Sequence, residues 1–357
     1  MAQQNHIRVL DALRGLAALS VVLFHFGVAI LPSLLPNPMT EILRPGRMGL
    51  HVFFVISGFI LPYAMHASGY TWSKLGAFMA RRWVRLGPPA YIAACGMILY
   101  YLVSIWSIGR PVSGFDFPGF SAGAILRNLT FTVGLTDPPG TDSGGEWYNF
   151  VYWSLAVEFE FYLLLGLLFP LLMDQRRKWL SPVIMAGLLF ISQWHSLAFF
   201  RYTVYFLLGI LVFQRRAHFL GNVQLIVSAV ICCAFGIARG YTPETLTSLA
   251  AAGVILAAPT RIPRPFIWLG TISYSLYILH PPVGYFLDSI GRRITDIHSY
   301  PIGKIVLVLL YTAIAVGLSW VFHRVVENPF LELSKRVGHG KRGMRHAPDA
   351  RPTEVVP

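Results

Sequence analysis

The chain has 357 residues, 55% of them apolar and only 13% charged, with a mean hydropathy of +0.58. Water-soluble proteins carry about 25% charged residues, so this composition excludes a soluble enzyme, a disordered protein and a disulfide scaffold; it describes a polytopic membrane protein. The net charge of +13 would suggest nucleic acid as partner in a soluble domain, but in a membrane protein an excess of Lys and Arg marks the cytoplasmic loops.

Apolar runs close to the twenty residues that a bilayer core requires predict an all-α fold of about ten transmembrane helices. They fall at residues 10–30, 48–66, 86–106, 148–173, 181–198, 199–213, 222–238, 245–258, 266–287 and 302–323. Arg8 and Arg14 precede the first run, yet Pro32 and Pro36 follow it without a small-x-small cleavage site. Ionisable residues also lie inside it, so it reads as a retained helix rather than a signal peptide. Residues 122–135 are too short to span and read as one re-entrant or interfacial helix in the loop 107–147. Threading ten spans from a cytoplasmic N-terminus puts about twenty of the 29 Lys and Arg inside and about nine outside, and an eleventh span would move every later cluster to the wrong face. Both termini are therefore expected in the cytoplasm. Residues 1–331 form the transmembrane body, and 332–357 form a basic disordered tail that is solvated or touches anionic lipid. Cys95, Cys232 and Cys233 lie in apolar runs without metal-site spacing and read as small buried hydrophobes.

An ionisable group at bilayer depth is costly unless it faces a protein-lined cavity, so each is a functional candidate. In the first helix, IRVLDALRGLAALSVVLFHF, Arg14 and His25 are eleven positions apart. That is about three turns, so both face one way, roughly 16 Å apart along the axis. Asp11 shares the face, and Gly15, Ala17 and Ala18 leave room for a close neighbour. The arrangement reads as a cationic mouth with a neutral imidazole deep in the membrane; a histidine bonded across helices for packing is the plainer alternative. In FMARRWVRLGPPAY, Arg82 and Arg85 are neighbours on one helix face, and Pro88 and Pro89 break the pattern just beyond. Guanidinium forks suit phosphate oxygens, although ordinary positive-inside anchoring also accounts for the cluster. In YWSLAVEFEFYLL, Glu158 shares a face with Ser154 one turn earlier, while Glu160 points nearly opposite and Trp147, Trp153 and Tyr162 surround the pair. One carboxylate is a proton acceptor or the partner that orients His25; a structural salt bridge is the alternative.

Weaker signals are His280 in SYSLYILHPP, which lines the same cavity or merely packs, and His51, read as interfacial near the outer end of its helix. Ser57-Gly58 reads as a packing notch, and Glu327-Asn328-Pro329 as a cytoplasmic helix stop. No P-loop, dinucleotide fingerprint, metal-ligand set or nucleophile elbow is present.

In this order, Arg14 and His25, GRMGLHVFFVISGF, the Arg-x-x-Arg of Arg82 and Arg85, WSLAVEFEFY, SYSLYILHP and ENPF make residues 7–330 resemble the acyltransferase-3 family of bacterial integral-membrane O-acyltransferases. The resemblance implies ten helices in the bacterial inner membrane. It also implies transfer of an acyl group, usually acetyl from acetyl-CoA, to a hydroxyl of a sugar or glycosylated cell-envelope acceptor. By resemblance His25 is catalytic and Arg14, Arg82 and Arg85 are functional, with acyl-CoA as donor substrate and no permanently bound cofactor. The CoA phosphates would sit on Arg82 and Arg85, helped by Arg14, with the thioester reaching His25. That imidazole would act as general base or transient acyl carrier, oriented by Glu158, in a cavity lined by Ser154, Trp153, His280 and Tyr274. Two features depart from the family pattern: the esterase-like domain that some relatives append is not expected here, and Glu160 stands where an uncharged residue is frequent. The competing class is a proton-coupled secondary transporter of a small polar or carbohydrate substrate, which would use His and Glu as a relay. No related halves of the kind common in transporters are visible in the sequence.

Overall fold

The computed structural model describes residues 2–30, 38–108, 119–133, 147–193, 198–294 and 301–337, and these are helical throughout, without a strand among them. In chain order the helices are α1 (Ala2–Phe24), α2 (Pro38–Leu43), α3 (Gly49–Ala67), α4 (Leu75–Ile108), α5 (Ala122–Thr130), α6 (Tyr152–Leu172) and α7 (Leu180–Ile191). They continue as α8 (Ala198–Arg216), α9 (Asn222–Ala238), α10 (Thr242–Ala257), α11 (Arg264–Thr271), α12 (Ser273–Ile294), α13 (Pro301–Phe322) and α14 (Asn328–Arg336). Wide π-helical turns extend α1 over His25–Ile30 and join α13 to α14 over His323–Glu327.

Among the described residues, five segments are long and apolar enough to cross a membrane: Arg8–Ile30, Thr40–Ala67, Trp72–Ser107, Tyr152–Leu172 and Ile302–Arg336. The protein is multi-pass, and its surface is that of a lipid-facing bundle: Val223, Ile226, Val230, Ile302 and Leu309 are all more than half exposed. Aromatic side chains fill the interior instead. Phe161 stacks on Phe206 at 4.0 Å, with Phe54 4.7 Å from the same ring, joining α6, α8 and α3. A second core, around Phe26, Ile272, Leu276 and Val308, joins the end of α1 to the helices after residue 264.

Two glycine crossings set how closely the helices approach. A Cβ on Gly15 would meet the backbone of Leu269 and Gly270, and one on Gly270 would meet the backbone of Asp11. Likewise Gly58 faces the backbone of Phe206, and Gly209 that of Val55. Without a water-driven hydrophobic force between helices in lipid, such small-residue contacts supply close backbone packing. Gly58 is thus the packing notch expected of it, and Gly15 gives α1 its close neighbour in α11.

Several boundaries differ from the hydropathy pattern. The run at 86–106 belongs to a helix that starts at Leu75, because Pro88 and Pro89 sit inside α4 and do not end it. Membrane helices tolerate interior proline, and α4 is braced around the pair by Tyr274, which donates to the carbonyl of Leu86, and Tyr152, which donates to that of Ala90. The run at 266–287 is two helices divided at Ile272, and Pro281 and Pro282 again lie within a helix. The run at 181–198 contains only the 12-residue α7, about 18 Å long at 1.5 Å per residue. The segment Glu327-Asn328-Pro329 does not stop the chain's helix, which runs on to Arg336 across the expected boundary at 331/332; residues 338–357 lie outside the described residues.

The crossing at Gly58 predicts that Gly58→Leu destabilises the bundle by at least the 1–3 kcal/mol, about, that overpacking costs. Gly187→Ala, which meets nothing within 4 Å, should be neutral or mildly stabilising. Thermal unfolding in detergent, followed by size-exclusion fluorescence, checks both; an unshifted midpoint for Gly58→Leu contradicts the crossing.

Candidate functional site

A cavity of about 360 Å³ lies among α1, α3, α4, α6, α12 and the α13–α14 turn. Each element presents one helical stripe to it. From α1 come Asp11 and Arg14, three apart; from α4 Arg82, Arg85 and Leu86; from α6 Ser154, Glu158 and Tyr162, each one turn on. Helix α12 adds Tyr274 and Tyr277, and the turn adds His323 and Glu327. Residues spaced by three or four share a helix face, so these stripes follow directly from local spacing.

Two of the cavity's carboxylates, Glu158 and Glu327, are hydrogen-bonded, and its guanidiniums are not. Glu158 accepts the hydroxyl of Ser57 at 2.8 Å on one oxygen and that of Tyr162 at 2.5 Å on the other. Glu327, only 7% exposed, accepts from Ser275 at 2.6 Å and meets His323 Nδ1 at 3.0 Å on the same oxygen. Among the described residues no side-chain hydrogen bond or ion pair within 4.0 Å engages Arg14, Arg82 or Arg85. The Arg82 guanidinium lies over the rings of Phe78 and Tyr162, 5.6 Å from each. Aromatic faces attract a cation but leave its N–H donors free. Three cationic forks around one space repel each other until an anion enters.

A second cavity of about 530 Å³ adjoins the first, sharing Arg82, Arg85 and Leu331. Its other lining residues include Lys74, Arg81, Lys335, Ser68 and Ser334. Arg82 and Arg85 therefore form the wall between a basic forecourt and the inner chamber.

At its far end the chamber is closed by Tyr277 and Ser154, whose hydroxyls are 2.6 Å apart. Just beyond lies a histidine pair. His25, first residue of the π-helical turn after α1, stacks on His280 of α12 with ring centres 4.9 Å apart and planes 20° apart. His25 Nδ1 and His280 Nε2 are 2.9 Å apart. Phe150 packs edge-on against His25 at 5.2 Å, and the Tyr277 ring is 5.9 Å from His280. Asn149, in the segment leading into α6, donates to the carbonyl of Ile278 and ties that segment beside the pair.

The structure thus gathers Arg14, Arg82, Arg85, Ser154, Glu158 and Tyr274 around one chamber; His25 and His280 are not among its lining residues and pair with each other behind Tyr277. Three expectations need correction. Glu158 does not orient His25: its oxygens accept from Ser57 and Tyr162, and the partner of the His25 imidazole is His280. Trp153 is not a lining residue: it follows Tyr152 on α6, off the Ser154–Glu158–Tyr162 stripe, and packs on Tyr202 at 5.5 Å. His280, expected to line the cavity, is not among its lining residues; His51, near the start of α3, is enclosed by protein, edge-on to Tyr205 at 4.5 Å. Glu160 faces away from the chamber and accepts the backbone N–H of Phe199 at 2.9 Å, capping the first turn of α8, whose N–H groups have no partner within the helix. Sequence reasoning missed Tyr277, His323 and Glu327 as site residues. For Glu327 the signal was present, since a carboxylate four residues from His323 on an apolar helix is a bonded pair facing inward.

The sequence profile of the acyltransferase-3 family, described as an acyltransferase domain, matches residues 7–324. Among curated proteins, the chain is 23% identical over 399 residues to the peptidoglycan O-acetyltransferase OatA of Listeria monocytogenes, covering 91% of this chain and 56% of that protein. It is 21% identical over 384 residues to the O-acetyltransferase OatA of Staphylococcus aureus, covering 92% and 58%. BcsY of Komagataeibacter xylinus, provisionally named a membrane-bound transacylase, is 28% identical over 310 residues, covering 78% and 73%. The chain thus spans little more than half the length of the OatA proteins. No solved structure matches it.

The two neighbouring carboxylates predict different costs. Glu160→Ala orphans a buried N–H at the start of α8 and should lower stability by about 1–3 kcal/mol. Ser57→Ala removes one of two donors from a cavity-lining carboxylate that water can replace, at less than about 1 kcal/mol. Apparent thermal midpoints in detergent compare them; a Glu160→Ala protein as stable as Ser57→Ala contradicts the capping role.

Proposed function

The chain belongs to the acyltransferase-3 family, and from that premise we propose that it is a membrane O-acyltransferase, moving an acyl group, acetyl in the simplest case, from acyl-CoA to a hydroxyl of a sugar or glycosylated cell-envelope acceptor. The observation that carries this reading is the set of three guanidiniums, Arg14, Arg82 and Arg85, without an ion pair among the described residues, around a chamber whose Tyr277 packs against a buried histidine pair. Phosphate esters of CoA are the anions such forks recognise bidentately. The forecourt with Lys74, Arg81 and Lys335 suits the nucleotide end, and the narrower chamber suits the pantetheine arm.

In this mechanism Arg82 and Arg85 hold phosphate oxygens at the junction of the two cavities, and Arg14 adds charge along the arm's path. The Tyr277–Ser154 pair gives way as the thioester passes to His25. The His25 lone pair takes the proton of the acceptor hydroxyl, or attacks the thioester itself and carries the acyl group; both routes use an unprotonated ring nitrogen. A thioester is already activated, so the residues named need only position it and move one proton. Glu158, held by Ser57 and Tyr162, keeps a negative charge near the three cations and limits their mutual repulsion while the chamber is empty.

The topology that fits this chemistry crosses the bacterial inner membrane ten times, through α1, α3, α4, α6, α7, α8, α9, α10, α12 and α13, with both termini in the cytoplasm. It puts the forecourt on the side where acyl-CoA is made. Exposed Trp72 and Trp179 lie at the same end, as expected of an interfacial aromatic belt. Helix α5 is the re-entrant element of this topology: the Leu129 carbonyl accepts from Trp83 and Tyr91 of α4, well below the outer end of that helix.

Purified protein in detergent or lipid, given labelled acetyl-CoA and cell-envelope oligosaccharide, tests the proposal. Transfer is expected from the wild type; His25→Ala should lose it while still binding donor. Arg82→Ala and Arg85→Ala should each weaken donor binding by about 1.5–3 kcal/mol, the worth of a hydrogen bond to a charged group. Full transfer by His25→Ala rules the mechanism out, and uptake of the oligosaccharide into vesicles without acyl transfer would favour a transporter.

A further inference from the structure

The histidine pair fixes where its protons sit. His280 is 0% exposed, and its Nδ1 lies 3.2 Å from the carbonyl oxygen of Leu276, one turn back on α12. A carbonyl oxygen only accepts, so the proton of His280 is on Nδ1. Among the described residues no carboxylate is hydrogen-bonded to either ring, and a neutral imidazole carries one proton. His280 Nε2 is then a lone pair. It lies 2.9 Å from His25 Nδ1, and two facing lone pairs make no hydrogen bond. His25 must therefore carry its proton on Nδ1 and donate it to His280. What remains is His25 Nε2, unprotonated and pointing away from the pair.

We propose that His280 is a positioning residue: it holds His25 in the Nδ1–H tautomer and so makes His25 Nε2 the reacting nitrogen. The role of that nitrogen rests on the acyl-transfer reading above; the placement of the protons does not. Ring orientation is fixed from both sides, by the stack on His280 and by the edge of Phe150. The Asn149 bond to Ile278, two residues before His280, and the carbonyl of Leu276 hold the partner ring in turn.

During transfer the acceptor's O–H proton passes to His25 Nε2 as its oxygen attacks the thioester carbonyl. A C–O bond forms, the C–S bond breaks, and the departing thiolate takes the proton back from Nε2. Hydroxyl and thioester thus yield ester and free thiol, and His25 returns neutral. While Nε2 is protonated, the bond from Nδ1 to His280 becomes charge-assisted and strengthens. His280 thereby favours the charged intermediate over the resting ring without taking the proton.

Two measurements on the full-length protein test this. In lipid-reconstituted protein labelled with 15N-histidine, the His25 signals, assigned by their loss in His25→Asn, should show a protonated Nδ1 and a bare Nε2. In His280→Leu the proton should redistribute between the two nitrogens. This readout needs no activity, so it decides the pairing even where the wild type transfers nothing from acetyl-CoA, an outcome that would count against the function and not against the pair. In the transfer assay, His280→Leu should lower kcat by about 10- to 100-fold, as loss of an orienting partner does elsewhere, with the donor KM within about twofold. His280→Gln, whose side-chain carbonyl can accept from Nδ1 in the place of Nε2, should recover most of the loss. A wild-type His25 protonated on Nε2, or a Gln variant no better than Leu, overturns the proposal.

Discussion

Three guanidiniums without a carboxylate partner, held around a cavity inside a membrane bundle, are the constraint on which the rest depends. A cation at bilayer depth is tolerated where it meets protein dipoles or water, and three together add mutual repulsion. The fold meets this cost by enclosing a chamber, roofing Arg82 with two aromatic rings, and placing Asp11, Glu158 and Glu327 on the same walls, Glu158 held by two hydroxyls and Glu327 by the Ser275 hydroxyl and His323. That arrangement stores a site for an anion: a phosphate entering it gains charge-assisted bonds that the empty protein lacks.

One helix carries both halves of the proposed chemistry. Arg14 and His25 are eleven residues apart on α1 and its π-helical extension, so the cationic chamber and the histidine pair are held at a fixed separation by a rigid element. Between them stands the Tyr277–Ser154 bond, which closes the chamber short of the imidazoles. A long donor with a charged head and a reactive tail matches this division better than a small solute does, because a small solute would use one end only. The family assignment gives the reaction class, and the geometry gives reasons for the length and charge of the donor.

Much of this was legible in the sequence wherever chemistry follows helical spacing. The Arg14–His25 face, the Arg82–Arg85 pair and the Ser154–Glu158 stripe all lie where a 3.6-residue period puts them. What spacing cannot give is which stripe meets which. Glu158 reads as the partner of His25 when only α1 and α6 are considered, and the pairing with His280 depends on how α12 packs between them. Proline misled the boundaries at Pro88 and Pro281 because partners distant in sequence brace both helices there: Tyr274 and Tyr152 bond carbonyls of α4, and Asn149 bonds the Ile278 carbonyl that Pro282 leaves without its helical donor. Glu327 reads as a helix stop because ENPF resembles one; the wide turn at His323–Glu327 instead rotates the carboxylate inward and lets the helix continue.

The central claim is a continuous path from the basic forecourt to the histidine pair, and a structure of the full-length protein with a non-hydrolysable acyl-CoA analogue tests it most directly. The account predicts phosphate density against Arg82 and Arg85, the pantetheine arm inside the chamber past Arg14, and Tyr277 displaced so that the acyl carbon lies against His25. An analogue bound outside the chamber, or one whose arm stops below an unmoved Tyr277–Ser154 pair in every bound copy, would contradict it.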